Sequence, residues 1–425
     1  MTDKPQRSFV RLLRWSEKYT KTDMVYLASG GIWSVISQIS SIAASLVLAI
    51  VVSHFLSKAT YGEYKYVLSV IAILSSFSLV GIGSAVLQST ANGFDGSLQR
   101  GFWTNIRWSF FIFVGAIAIA SYYFTLHNPR IAAEILIGGC LAPLLGSSSL
   151  FLAFLAGKRD FVRQQVYAIL DNVIPVGALI VTVFLTNNPL ILVAVYFVAN
   201  LLADLYFYFR TTKVYKPDPQ KIDTGMVSYG KHLSVMGILG GIADNLDQIL
   251  VFHYIGAVEL AIYNFAAAIP DQIKGPLKTF DAMVQAGFVK RTKKEIESTM
   301  GNKFLWFFIF SVIVTVAYIL SAPFIFTFLF PKYIGAIGYS QVYALWLLTL
   351  TLDPANSYLT AKKKIKEQYI AYSVYSVLQI GLMFLGIIFW GLIGLIVARI
   401  ITRIIVAILN YFLYKNTLDK EIIYV

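Results

Sequence analysis

Twelve apolar stretches run along the chain between Gly31 and Tyr414, and short polar segments separate them. Each stretch is close to the ~20 residues that an α-helix needs to cross ~30 Å of hydrocarbon. The basic residues fall almost entirely in every second polar segment. This pattern predicts an all-α integral membrane protein with twelve transmembrane helices. We expect the eighth helix to leave the hydrocarbon near Asp271 and to continue among the lipid headgroups.

Composition supports this prediction, because charged residues make up only 13% of the chain. Soluble proteins carry charge on about a quarter of their residues. Of the 35 Lys and Arg residues, 28 lie on one side of the predicted membrane, which places both termini in the cytoplasm. The net charge of +13 forms no single long basic stripe, so nucleic acid is not an expected partner. The opposite side holds Lys58, Lys65, Arg130 and Lys332.

The two halves of the chain resemble each other. The segments that start at Val52 and Val251 share a valine, a histidine and an aromatic residue, and a tyrosine follows ten residues after each histidine. An even number of helices per repeat keeps both halves in the same orientation. The chain is therefore predicted to have a cytoplasmic amphipathic N-terminus over 1–23 and two six-helix lobes over 24–215 and 216–425, related as a parallel repeat. Transporters of this design commonly bind substrate between the lobes near mid-membrane.

Charged residues inside the predicted helices are costly, at about 2.5–3.5 kcal/mol each at mid-bilayer, so they need partners or a wet cavity. Asp244 and Asp247 share one face of the seventh helix, and Arg399 and Arg403 share one face of the twelfth. A rise of about 1.5 Å per residue places both pairs at similar depths. We expect these four residues to meet in a polar chamber of the second lobe.

Further charges lie deeper towards the cytoplasm. Arg107, Asp171 and Asp204 form a second predicted cluster in the first lobe, while Asp271, Lys274 and Lys278 form a stripe on the eighth helix and Asp353 lies near the inner end of the tenth. A purely structural interpretation remains open for each cluster, as static ion pairs between helices. The two lysines fit a solvated helix end. Glu134 is expected at the interface, and Gly237 and Gly241 are expected to allow close helix packing.

Several motifs resemble those of the polysaccharide (O-antigen type) flippases, in the superfamily that also contains multidrug and toxin extruders. They are the hairpin at 56–64, its second copy at 255–263, the preceding Asn245-Leu246-Asp247, and residues 329–333. Ser57 and Ala261 depart from the family pattern. The resemblance implies transport of lipid-linked oligosaccharides, on polyprenyl pyrophosphate, from the inner to the outer leaflet by alternating access. It also implies a bacterial inner-membrane location, no covalent chemistry, and membrane lipids and a polysaccharide polymerase as partners.

This resemblance suggests roles for the buried charges. Asp244 and Asp247 are expected to carry or gate a coupling cation, either sodium bound near them or protons, and no other cofactor is expected. The predicted headgroup-binding residues are Arg399, Arg403, Arg107, Lys274 and Lys278. Further carboxylates assigned to cation coupling are Asp171, Asp204 and Asp353.

Two other functions remain open. The excess of Asp over Arg inside the helices also suits a cation-coupled multidrug exporter of the same fold. A membrane glycosyltransferase or polysaccharide polymerase would need a large external loop with catalytic groups, and the predicted outer loops are short. No phosphate-binding glycine motif occurs in the sequence, so direct drive by ATP is not expected.

Overall fold

The computed structural model describes the backbone over 24–290, 293–362 and 364–423, and side chains over 33–273, 295–296, 298–362 and 364–417. Within these ranges the regular structure is helical throughout, without strands. The α-helices are α1 Met24–Phe55, α2 Lys58–Ser76, α3 Ile82–Ala91, α4 Ser97–Trp108, α5 Phe110–Thr125, α6 Pro129–Ser148, α7 Leu150–Gly157, α8 Phe161–Leu185, α9 Pro189–Tyr215, α10 Met226–Tyr254, α11 Ala257–Lys290, α12 Lys293–Leu329, α13 Ile337–Ala344, α14 Asp353–Ala361 and α15 Ile365–Ile423. Two 3₁₀ segments, Pro331–Ala336 and Leu345–Leu352, flank α13.

These elements trace twelve passes, some of them made of two or more pieces. The pairs α2–α3, α4–α5 and α6–α7 each form one broken pass, and residues 331–361 form another. Helix α15 holds two passes, because its backbone turns at Gly391 (φ 58°, ψ −141°). A Cβ on Gly394 would lie 2.1 Å from the carbonyl oxygen of Gly386. Residues eight apart in a straight helix are separated by about 12 Å, so the chain reverses there.

Polar side chains at the turns start several helices. Ser57 Oγ accepts the Thr60 N–H at 3.1 Å, and Asn188 Oδ1 accepts the Leu190 N–H at 3.0 Å. Such caps satisfy backbone donors that lack a partner in the first turn. We call the end that carries these turns the outer end, since the charge count predicts that it faces away from the cytoplasm. The opposite end is the inner end.

The two predicted lobes contact each other at the outer end. Ser53 Oγ donates to the Leu329 carbonyl oxygen at 2.9 Å, and the rings of Tyr66 and Phe252 stack at 3.9 Å. Gly62 lies at the tightest point, where an added Cβ would be 1.8 Å from the Ala257 carbonyl oxygen. Only glycine allows this approach between α2 and α11. The outer end is therefore closed, and we call these contacts the outer closure.

Replacement of Gly62 by valine is expected to open the outer closure, because the Ala257 backbone cannot make room for the new side chain. We expect the mean distance between spin labels at Ser57→Cys and Ile334→Cys to increase. Double electron–electron resonance in a Cys140→Ser background measures it.

The control for this experiment is Gly177→Val, since no heavy atom lies within 4 Å of a Cβ at Gly177. Its distance distribution should match that of the parent protein. An unchanged distribution in Gly62→Val would show that the contact yields without separating α2 from α11.

Residues 216–225 connect α9 to α10 through turns, bends and irregular backbone, without a helix. The Ser89 hydroxyl donates to Asp223 Oδ2 at 2.5 Å and, with help from the backbone N–H groups of Gly225 and Met226, lowers the pKa of Asp223. The Gly96 N–H donates to the Lys221 carbonyl oxygen at 3.0 Å. The connection is thus held against α3 and the start of α4. The division into 24–215 and 216–425 stays a prediction, and we use first and second lobe for these ranges.

Candidate substrate chamber

The centre of the second lobe holds a buried ion pair. Arg399 Nη1 donates to Asp247 Oδ2 and to the Tyr263 hydroxyl, and this hydroxyl donates to Asp247 Oδ2 at 2.5 Å. The Arg399 and Asp247 side chains are 12% and 2% exposed. Because α10, α11 and α15 each supply one group, the contact joins three helices. The predicted approach of the seventh and twelfth helices is present in this pair.

Arg403 lies one turn further along α15 and has a different environment. Its guanidinium lies 4.2 Å from the centre of the Trp346 ring and 5.9 Å from that of Tyr343. Its Nη1 is buried without a hydrogen-bonding partner in the part of the chain that the structure describes. The aromatic rings therefore hold in place a cation that has no carboxylate partner among the described side chains.

A chamber of about 500 Å³ opens beside these arginines, between α10, α14 and both passes of α15. Its wall includes the carboxylates of Asp244, Asp271 and Asp353. Tyr375 OH donates to Asp244 Oδ1 at 3.1 Å, and Tyr343 OH donates to Asp271 at 3.0 and 3.1 Å. The chamber thus brings together most of the charges that the sequence assigns to the second lobe, with Asp247 behind Arg399.

A smaller cavity of about 310 Å³ lies between the lobes under the outer closure. Asp271 lines both this interlobe cavity and the chamber, so the two adjoin. Lys65 of α2 also lines the interlobe cavity, with its Nζ 5.7 Å from the centre of the Tyr61 ring. The sequence reading places Lys65 in an outer loop, which is wrong because α2 begins at Lys58. Lys65 lies two helical turns inwards from the start of α2. Its position became clear only when the structure showed where that helix begins.

The second predicted cluster is only partly assembled. The carboxyl groups of Asp171 on α8 and Asp204 on α9 lie close enough to interact, and Asp204 is 4% exposed. Arg107 is not part of this contact. It is exposed in the last turn of α4, where its side chain faces away from the helical core. The rise per residue gives the depth of Arg107 in the membrane. It does not give the direction in which the side chain points around the helix axis.

Three further sequence predictions differ in outcome. The side chains of Lys274 and Lys278 lie outside the described residues. Glu134 is fully buried near the outer end, 3.9 Å from Arg130, which also pairs with Glu63, and its depth relative to the headgroups stays a prediction. This acid–base cluster was missed, since Glu63 and Arg130 belong to separate turns that only the fold brings together.

No group of three or more His, Cys, Asp and Glu side chains is placed to hold a metal ion among the described residues. Asp247 Oδ2 accepts from Arg399 and Tyr263, and its Oδ1 accepts the Gln248 N–H at 2.8 Å. Both oxygens of Asp247 are therefore engaged. Asp244, by contrast, lines the chamber.

A family model described as polysaccharide biosynthesis protein matches residues 27–280, which is more than half of the chain. The chain belongs to this family. No curated protein matches it. The fold is the twelve-helix fold of the solved structures described next.

Several solved structures are similar over nearly the whole chain. An inward-facing multidrug resistance MATE family transporter of the MOP superfamily has a TM-score of 0.71 and 14% identity, over 92% of this chain and 98% of its own. A MATE transporter in the bent conformation has a TM-score of 0.63 and 14% identity, over 97% of both chains. A MOP superfamily transporter from Pyrococcus furiosus, described as having a binding pocket of reverse polarity, has a TM-score of 0.63 and 14% identity, over 93% of this chain and 95% of its own. At such identities the similarity shows the fold alone.

Proposed function

We propose that the protein is a flippase that moves a lipid-linked oligosaccharide, carried on a polyprenyl pyrophosphate, from the inner to the outer leaflet of the bacterial inner membrane. Transport occurs by alternating access and involves no covalent chemistry. The observation that carries the proposal is Arg403, a cation held on Trp346 with a buried Nη1 that lacks a partner in the described part of the chain. A phosphate oxygen is the acceptor that such a guanidinium binds best.

Arg403 and Lys65 have no carboxylate partner among the described side chains and can bind an anionic headgroup, although the lining carboxylates Asp244, Asp271 and Asp353 leave the chamber net negative. Arg399 neutralises Asp247, so Asp247 does not repel an anion from the chamber. Lys65 adds a second cation in the interlobe cavity, which adjoins the chamber at Asp271, and it forms no ion pair with a described carboxylate. Arg403 and Lys65 belong to different lobes. A headgroup that contacts both would favour an approach of the lobes at this level, as alternating access requires.

One observation favours a cation-coupled multidrug exporter instead. Asp244, Asp271 and Asp353 line the chamber and would attract a cationic substrate. Tyrosine hydroxyls already donate to Asp244 and Asp271, which lowers the net attraction for a cation. The family membership also favours a saccharide substrate.

Reconstitution into liposomes tests the proposal. Undecaprenyl diphosphate bearing a fluorescently tagged sugar is placed in the bilayer, and a membrane-impermeant quencher reports how much of the tag remains on the outer surface. We expect the protein to move this probe and to leave a cationic dye such as ethidium in place. Ethidium transport without movement of the lipid probe would establish the exporter. The polysaccharide polymerase that uses such units remains a predicted partner.

We further propose that protons drive transport through Asp171 and Asp204. Two carboxyl groups in contact within the membrane cannot both be charged at low cost, and they form a hydrogen bond when they share one proton. Each has an oxygen without a hydrogen-bonding partner among the described residues, so neither is fully satisfied by its surroundings. This arrangement suits a group that gains and loses a proton during the transport cycle.

The Asp204→Asn variant tests this coupling, since an amide can keep the hydrogen bond to Asp171 but cannot take up a proton. An imposed pH gradient is expected to accelerate flipping by wild type and to have no effect on the variant. A sodium gradient serves as the comparison. If only a sodium gradient accelerates flipping, and it does so equally in wild type and in Asp204→Asn, the coupling site would be Asp244 instead.

A further inference from the structure

An open groove runs along the inner half of the second lobe, between α10 and the first pass of α15. It has a volume of about 890 Å³. Its walls are largely apolar, and several side chains on them are strongly exposed, such as Val235 at 70% and Tyr372 at 66%. The principal apolar wall residues are Val235, Met236, Leu239, Ile365, Tyr369 and Tyr372.

Glycines form the floor of the groove. A Cβ on Gly237 or Gly240 would meet no heavy atom within 4 Å, although both residues lie in the middle of a long helix. Gly241 differs, because a Cβ there would lie 2.2 Å from Ser76 Oγ. The predicted close packing therefore holds at Gly241 and is wrong at Gly237. Gly237 and Gly240 leave open space on a face where none of the described helices packs.

The groove leads directly into the chamber. Asp244, Gln368 and Tyr372 line both spaces. The wall thus changes along its length from apolar side chains and bare glycine backbone to carboxylates and arginines. At the far end the groove reaches Lys231 and His232, near the start of α10.

We propose that this groove holds the hydrocarbon chain of the transported lipid while its anionic headgroup occupies the chamber. The inference rests on the function proposed above. A headgroup among Arg403 and the chamber carboxylates needs a lateral exit for its chain, because a long hydrocarbon in a polar cavity loses its apolar surroundings. The groove supplies this exit beside Asp244.

Two other occupants match the groove less well. A helix of a partner protein has a diameter of about 10 Å and would press against the carboxylate of Asp244 at the chamber end. A second copy of this chain would bury the same charge. An amphiphile with one charged end and one apolar end matches a space that changes from ionic to apolar along its length.

The single cysteine of the chain, Cys140, allows a site-directed test. In a Cys140→Ser background, Gly237→Cys and Gly240→Cys place a thiol on the groove floor. Gly177→Cys places one on an exposed face of α8, where a Cβ also meets nothing within 4 Å. Each variant is reacted with N-(1-pyrenyl)maleimide and assayed with the undecaprenyl diphosphate probe. We expect labelling at Gly237 or Gly240 to slow flipping at least tenfold, and labelling at Gly177 to change it less than twofold.

A photochemical experiment locates the chain directly. Undecaprenyl diphosphate with a diazirine on its isoprenoid chain should label peptides that contain residues 235–241 and 365–373. An excess of unmodified undecaprenyl diphosphate should suppress the labelling. A phosphatidylglycerol with a diazirine in its acyl chain is the comparison. Equal labelling by that phospholipid, without displacement by undecaprenyl diphosphate, would overturn the proposal.

The results separate this inference from the proposed function. If wild type flips the probe and the pyrene-labelled Gly237→Cys and Gly240→Cys variants flip it as fast as their unlabelled forms, the groove has no role and the flippase proposal stands. If wild type does not flip the probe, both proposals are overturned. Slow flipping only after labelling of the groove supports both.

Discussion

Arg399→Gln is expected to lower both the thermal stability and the transport rate of the protein. The substitution leaves the Asp247 carboxylate, 2% exposed, without its cation. Removal of one partner of a buried ion pair typically costs about 3–5 kcal/mol, because the remaining charge stays desolvated. Scanning fluorimetry in detergent measures the midpoint of unfolding, and the liposome assay measures flipping.

The double variant Asp247→Asn/Arg399→Gln separates stability from transport. It removes both charges, so we expect the midpoint to recover most of what Arg399→Gln loses. If Arg399 also contacts the headgroup, transport stays low in the double variant. Full recovery of transport would show that Arg399 serves only to hold α10, α11 and α15 together. An unchanged midpoint in Arg399→Gln would contradict the buried pair itself.

Arg403→Gln is expected to lower the affinity for the anionic headgroup with little change in stability. Arg403 lies over Trp346 and has no ion-pair partner among the described side chains, so its loss strands no buried carboxylate there. A hydrogen bond to a charged group contributes about 1.5–3 kcal/mol, which corresponds to a loss in affinity of about tenfold to a hundredfold. Binding of undecaprenyl diphosphate in detergent, followed by the quenching of tryptophan fluorescence, measures this loss.

Arg210→Gln is the matched control for Arg403→Gln. It removes the same charge from an exposed position on α9, where Arg210 Nε donates to the Tyr167 hydroxyl at 3.0 Å. The affinity of Arg210→Gln for undecaprenyl diphosphate should remain within about twofold of that of wild type. Equal losses in both variants would indicate a general effect of net charge. No loss in Arg403→Gln would remove the main support for an anionic substrate and favour the exporter.

The sequence predicted the fold class well, because the constraint behind it is strong. Backbone hydrogen bonds must be satisfied within each segment in hydrocarbon, so a long apolar stretch has few alternatives to a helix. The approach of Asp247 and Arg399 could also be predicted from the sequence, because i, i+3 and i, i+4 spacing places them on helix faces at matching depths. The same reasoning went wrong for Arg107, which is exposed on α4, and for Lys65, whose helix begins earlier than its hydropathy indicates.

The sequence by itself determined that this chain crosses a membrane many times and carries charges that need partners there, because hydrophobic length and the cost of buried charge are local properties. Only the tertiary structure decided which charges neutralise each other and which remain available. Asp247 is held by Arg399 whereas Arg403 rests on Trp346, although both arginines lie on one helix face. The open glycines of α10 likewise follow from how neighbouring helices diverge. Such relations depend on rotation and packing between helices, which sequence spacing leaves free.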